Sequence, residues 1–296
     1  MISLNRPKIF RLLNFFFIVA VISVGTAGCS LSGISLSASS QPTDITTGNA
    51  SQTLNSAPTA KHLFSGEVRL ANGAIAVDGV NDPVILISNQ DASDPTYDQL
   101  INFLNQDGTD ALPYTTSFVC ANFADMLYNN AESDGIRAAY VVLDGINHAL
   151  NAFQTTDKGL IYIDFTGNDP SIVQPIASYG ETDFGTSKNY KKVAYIEVGK
   201  PLGLISLDVV NNYGFQYSGY EQWTTDMRAF NSILDSYNSR VQADNANGGV
   251  IRGSVEYLQM QQLKRQLITL STKLGTFWEP VGTVIKIELF WKSNHQ

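Results

Sequence analysis

Three observations predict an α+β fold in which an early helix packs on an antiparallel sheet and a helical hairpin follows. Apolar residues recur at helical spacing in two stretches near residues 95–105 and 117–135. Short β-rich runs, punctuated by Gly, Asn and Asp, follow between residues 138 and 209. A second pair of helical patterns then occupies residues 226–275, with steps of three and four that suit a coiled-coil-like seam.

Taken in order, residues 68–70, 75–77 and 84–87 read as short strands between turns. Asp94-Pro95 reads as an N-cap followed by proline at the first helical position. The helix it opens carries Tyr97, Leu100, Ile101 and Leu104 on one face and ends at Asp107-Gly108 and Pro113. Ser117 is the expected N-cap of a second helix, with Val119, Phe123, Met126 and Leu127 on its apolar face and Gly135 as its C-terminal stop. Strands are expected at 138–143, 148–153 and 160–165, the last two joined by Thr156-Asp157-Lys158-Gly159, and again at 192–198 and 202–209. Met227, Phe230, Leu234, Tyr237 and Val241 pair with Met260, Leu263, Leu267, Leu270 and Leu274 in a helical hairpin that turns at Asn245 to Gly249. That seam suits packing on the main domain or self-association with a second copy. Residues 284–291 end the chain as a strand.

The first sixty residues have a different character. Arg6, Lys8 and Arg11 precede a short apolar stretch, residues 12–24, which ends in Gly25-Thr26-Ala27-Gly28-Cys29. This is the pattern of an export signal. Small residues before a cysteine resemble the lipobox of bacterial and archaeal lipoproteins, although Thr26 stands where that motif usually has an aliphatic residue. Residues 1–28 are then a signal peptide and Cys29 the lipidated N-terminus, on the extracytoplasmic face of the cell membrane. An ordinary cleaved signal and an uncleaved anchor are the alternatives. Residues 29–61, rich in Ser, Thr, Ala, Asn and Gly, are expected to be a flexible tether. The remaining organisation is a main domain over 62–225 and the hairpin with its terminal strand over 226–296.

Loss of residues 1–28 removes three positive charges and no acid, taking the formal charge from −8 to about −11. Such a chain is a poor partner for nucleic acid, and its tie to a bilayer is the N-terminal anchor rather than a basic patch.

The chemistry-bearing residues are few. The chain has two cysteines and three histidines. If Cys29 carries lipid, Cys120 is the single remaining thiol, and an unpaired cysteine in an exported protein is a candidate nucleophile. A small buried hydrophobe is its ordinary alternative. Cys120 falls in the first turn of the second helix, where the helix dipole and unpaired N–H groups favour a thiolate and an oxyanion. His148 and Asp164 flank the strand turn centred near Thr156, eight residues on either side, so they are expected as neighbours on one sheet face. A carboxylate beside an imidazole is the orienting pair that a cysteine nucleophile requires.

Ser117-Phe118-Val119-Cys120-Ala121-Asn122-Phe123-Ala124, the Gly135-Ile136-Arg137-Ala138 strand entry, His148, and Asp164-Phe165-Thr166 together resemble the core of the transglutaminase-like superfamily. The resemblance covers roughly residues 95–170. It implies a papain-like α+β fold with Cys120 as nucleophile, His148 as general base and acid, and Asp164 as the orienting carboxylate. It also implies amide (peptide) bond chemistry through a thioester, finished by water in a hydrolase or by an amine in a transglutaminase, on a protein or peptide substrate. Leu150 departs from the pattern, since many members have Trp two residues after the His. Tyr114 is the candidate for the family's extra oxyanion donor, a packed loop tyrosine being its alternative.

No cofactor motif or metal-ligand cluster is visible, and Asp107 and Asp110 do not complete a calcium loop. The aromatic run Tyr213, Phe215, Tyr217, Tyr220 and Trp223 reads either as a substrate groove or as a strand edge packed on the core. The competing functional reading is a binding or scaffold lipoprotein that keeps the fold without the chemistry.

Overall fold

The computed structural model describes residues 62–167, 191–249, 251–275 and 280–291. The signal segment, Cys29, the tether and His295 lie outside the described residues. Within them the fold is α+β, with four α-helices and a large antiparallel sheet.

Leu63–Glu67 (β1) and Ile85–Asn89 (β2) form a two-stranded antiparallel ribbon. The runs expected as strands at 68–70 and 75–77 form only isolated bridges, Arg69 with Ile75 and Val77 with Pro83. Tight turns at Gly73 and Asn81, both at positive φ, leave too little length for a ladder.

The first helix, Tyr97–Gln106 (α1), starts later than Asp94-Pro95 predicts. Thr96 and Gln99 cap each other reciprocally, Gln99 N–H to Thr96 Oγ1 at 3.2 Å and Thr96 N–H to Gln99 Oε1 at 2.8 Å. Asp94 instead accepts a hydrogen bond from Arg137. The second helix, Cys120–Ser133 (α2), also starts later than expected, with Val119 and not Ser117 at its N-cap. The side-chain oxygen of Asn122 accepts the Val119 N–H at 3.0 Å and so closes the first turn. Its C-terminus is a Schellman motif: Ile136 N–H reaches Ala131 O, Gly135 N–H reaches Glu132 O, and Gly135 sits at φ 78°. The buried stripe runs through Cys120, Ala124, Leu127, Tyr128 and Ala131, with Met126 only half-buried.

Seven strands make the main sheet: Ala139–Asp144 (β3), His148–Thr155 (β4), Gly159–Asp164 (β5), Lys192–Tyr195 (β6), Pro201–Ser206 (β7), Val281–Thr283 (β8) and Lys286–Phe290 (β9). Their order is β8-β7-β6-β5-β4-β3-β9, antiparallel throughout. β8 and β9 lie on opposite edges yet are joined by Val284 and Ile285 alone, so the sheet must curl until its edges meet. Backbone bonds from Val284 to Lys200 and from Ile285 to Asp144 fix that closure.

Alternation along the strands sorts their side chains into two clusters. Ala139, Val141, Leu143, Leu150, Ala152, Ala194, Leu202 and Leu204 fill the inner one. Tyr140, Val142, Ala149, Phe153, Ile161, Ile163 and Val193 face outward and pack with residues of α1, α2 and the hairpin. The helical hairpin is Tyr217–Ala246 (α3) and Val255–Leu274 (α4). Met227, Phe230, Leu267 and Leu274 bury its base, and the indole of Trp223 donates to Leu274 O at 3.1 Å. Of the aromatic run, Tyr213 and Phe215 precede α3 and Tyr217, Tyr220 and Trp223 lie in its first two turns, where Tyr220 stacks between Tyr195 and Trp223, each pair 5.7 Å apart, as core packing.

Candidate active site

β4 and β5 bring two of the three expected residues into direct contact. The β3–β4 turn passes through Gly145 and Asn147, both at positive φ, and delivers His148 as the first residue of β4. The β4–β5 turn is centred on Asp157 rather than Thr156, since Thr155 pairs with Gly159. That shift puts Asp164 level with Leu150 instead of directly across from His148. Both still project to one face, a single diagonal step apart. The diagonal suits the pair: His148 Nε2 lies 3.1 Å from Asp164 Oδ2, and both side chains are buried.

Asp164 is held as a carboxylate. Burial alone would raise its pKa, but the Lys192 ammonium, the His148 ring and hydrogen bonds from His148 and Thr166 outweigh that and hold it well below the usual carboxylate range. An ionised carboxylate can only accept, so the Nε2–H of His148 is the donor of this hydrogen bond. Asp164 Oδ1 also accepts the Thr166 N–H at 2.8 Å.

Lys192 is the residue that sequence reasoning missed. The register pairs it with Asp164, and its ammonium lies 3.7 Å from Asp164 Oδ1 and donates to Thr166 O at 2.5 Å, with the residue only 2% exposed. Its partner is 28 positions earlier in the chain, and an adjacent Lys191 gives no cue as to which lysine points inward.

Cys120 occupies the first position of α2 and is 1% exposed. It packs in the outer cluster with Ala149 and Phe165, whereas His148 and Asp164 alternate with those residues and project to the inner face of the sheet, the face of Leu150 and Ala194, so the structure brings His148 and Asp164 together and leaves Cys120 on the other face. What fixes α2 across β4 is Asn151, fully buried, whose amide donates to Ala124 O at 2.8 Å. Ala124 is one helical turn beyond Cys120, and small residues at 121 and 124 let the helix approach closely. The N-terminal loop also meets this turn. Asn122 donates to Asp78 Oδ2 at 2.9 Å and accepts the Gly79 N–H at 3.1 Å. A polar Asn among Ala149, Leu150, Ala152 and Phe153 is the sequence signal for this tether.

Cys120 is expected as the single remaining thiol if Cys29 carries lipid, and Cys29 lies outside the described residues. In the structure the Cys120 sulfur is disulfide-bonded. Tyr114 takes a packing role, its ring stacked on Phe123 at 6.2 Å with an 8° interplanar angle. Asp107 accepts hydrogen bonds from Thr109 and Asn130 and so braces the loop after α1. Among the described residues no group of three His, Cys, Asp or Glu side chains could hold a metal, and no helix is long and apolar enough to cross a membrane.

Comparison with known proteins finds no matching family model, no matching curated protein and no matching solved structure.

Proposed function

We propose that the chain is a membrane-tethered, extracytoplasmic cysteine hydrolase or acyltransferase of transglutaminase-like type, acting on amide bonds of a protein or peptide. The observation that carries this reading is the buried His148–Asp164 pair, 3.1 Å apart; the reaction further requires the first turn of α2 to bring Cys120 round the end of β4 to the face on which the pair lies. In the reduced protein, His148 Nδ1 takes the Cys120 proton and the thiolate attacks the amide carbon. The imidazolium then protonates the departing amine, leaving an acyl thioester on Cys120. Water or a second amine attacks that thioester with His148 as base, and the thiol is regenerated. The first N–H groups of α2 have no intrahelical acceptor and suit the oxyanion. Asp164 stabilises the imidazolium and fixes its tautomer.

The disulfide on Cys120 favours a second reading, a binding or scaffold protein, because a sulfur in a disulfide cannot attack a carbonyl. A lipid thioether on Cys29 and a disulfide from Cys29 consume the same sulfur, so the lipidated chain and a Cys29-linked chain are mutually exclusive.

Intact mass spectrometry of the reduced full chain after brief exposure to p-nitrophenyl acetate separates the two. The catalytic reading expects one acetyl group on Cys120, removed by hydroxylamine and strongly reduced in His148→Ala. Absence of acylation in reduced, folded protein would leave the binding reading.

A further inference from the structure

We propose that the far end of the α3–α4 hairpin is a lipid-docking tip, where Ile251, Val255 and Leu258 enter the interface of an anionic bilayer. The inference rests on the membrane-tethered reading above and gives that tether a second point of attachment.

The hairpin is much longer than its packing on the body requires. Phe230 is the last buried residue of α3 and Met260 the first of α4, and among the described residues none between them is buried. From Phe230 to Ala246 the helix rises about 24 Å past that last core contact. The two helices hold each other there, with Arg240 donating to Gln259 Oε1 at 2.6 Å. Gly248, Gly249 and Gly253, all at positive φ, reverse the chain. Ser254 N–H then closes a turn on Ile251 O, and the Ser254 hydroxyl caps α4 by accepting the Tyr257 N–H.

A turn built only to join two helices would be polar. This one carries Ile251 at 76% exposure, Val255 at 65% and Leu258 at 58%, the last two on one side of the first turn of α4. One exposed apolar side chain is ordinary, but three at the end of an arm form a surface for something apolar. Charge selects what that is. Residues 238–265 carry Arg240, Arg252, Lys264 and Arg265 against Asp244 and Glu256, a net +2 in a chain whose formal charge is −8. The sign of the whole chain hides this contrast. Cations around an apolar tip fit an anionic lipid surface, whereas a second copy would set the same cations against each other. Two net charges close to such a surface give roughly a 30-fold preference for anionic over neutral lipid. Reach agrees with this: a flexible chain of the length of residues 29–61 spans roughly 30 Å, comparable with the arm.

The test reconstitutes the full-length lipidated protein in vesicles with brominated acyl chains, with and without roughly one-third phosphatidylglycerol. Leu258→Trp reports the tip. Val198→Trp, at an equally exposed site between β6 and β7, is the control, and the parent's own tryptophan signal is subtracted. In anionic vesicles Leu258→Trp should be quenched at least about threefold more strongly than Val198→Trp. That excess should be lost in neutral vesicles, and when Arg252→Glu and Arg265→Glu are added. Equal quenching at the two sites, or in the two kinds of vesicle, overturns the proposal. So does a blue-shifted but unquenched Leu258→Trp, which means that a second copy covers the tip. Protein that fails to float with the vesicles sinks the tether and the tip together, whereas floating protein with an unquenched tip sinks the tip alone.

Discussion

Replacing Asp164 by Asn removes the carboxylate 3.7 Å from the Lys192 ammonium while leaving an amide of the same size. The wild-type carboxylate is fully buried and faces a lysine that is 2% exposed. Orphaning one member of such a pair costs about 3–5 kcal/mol. Lys192 has one escape, which is to lose its proton. From an ordinary lysine pKa that costs about 5 kcal/mol at pH 7 but only about 2 at pH 9. The destabilisation of Asp164→Asn should therefore shrink as pH rises from 7 to 9. Urea unfolding of wild type, Asp164→Asn, Lys192→Met and the double variant measures it. The double variant should be more stable than Asp164→Asn alone, because no charge is orphaned. The acid side has its own sign. The folded pKa of Asp164 is depressed, so its contribution is present above the unfolded value near 4 and is lost as pH falls through the lower folded value. An Asp164→Asn protein within about 1 kcal/mol of wild type at pH 7 would refute the buried ion pair.

Asn151 and Asp125 give independent checks on how α2 is seated. The Asn151 amide holds Ala124 O while its own Oδ1 is buried without a hydrogen-bond partner. Asn151→Leu should thus cost only about 1–2 kcal/mol, and Asn151→Asp more, in chemical denaturation. Equal costs would contradict this assignment of the tether. Burial pushes Asp125 up to about 7, with Asp78 adding to the rise and Asn129 opposing it. A raised folded pKa means that stability falls as pH climbs from about 4 to 7, so Asp125→Asn should stabilise by on the order of 2 kcal/mol at pH 8 and by nearly nothing at pH 4. Gly79→Ala would place its Cβ 2.7 Å from the Ser117 backbone, where nothing can yield cheaply. A melting temperature lower by several degrees is expected, and an unchanged one would show that the loop seen against α2 is not held there.

Much of this site was legible in sequence because its signals are local or periodic. The β4–β5 turn announced itself through Asp157, Lys158 and Gly159, and the parity of its strands put His148 and Asp164 on one face. One residue of error in the turn centre changed a direct pairing into a diagonal without breaking the contact. Helix starts were less legible. Asp94-Pro95 and Ser117 are good caps in isolation, but Thr96 with Gln99, and Asn122 with Val119, satisfy the terminal N–H groups better in place. Lys192 and the meeting of the sheet edges were hidden, since both depend on pairings between distant strands. β9 beside β3 and β8 beside β7 join the chain's end to its middle, and no local pattern encodes that register.

The central claim is that reduced Cys120 is activated by the His148–Asp164 pair. Iodoacetamide labelling of the reduced chain between pH 5 and 9, beside His148→Ala and Asp164→Asn, tests it most directly. Rapid labelling of Cys120 below pH 7 is expected, slowed roughly tenfold or more at that pH in His148→Ala. An ordinary thiol profile rising near pH 8.5 and indifferent to both substitutions would contradict the account.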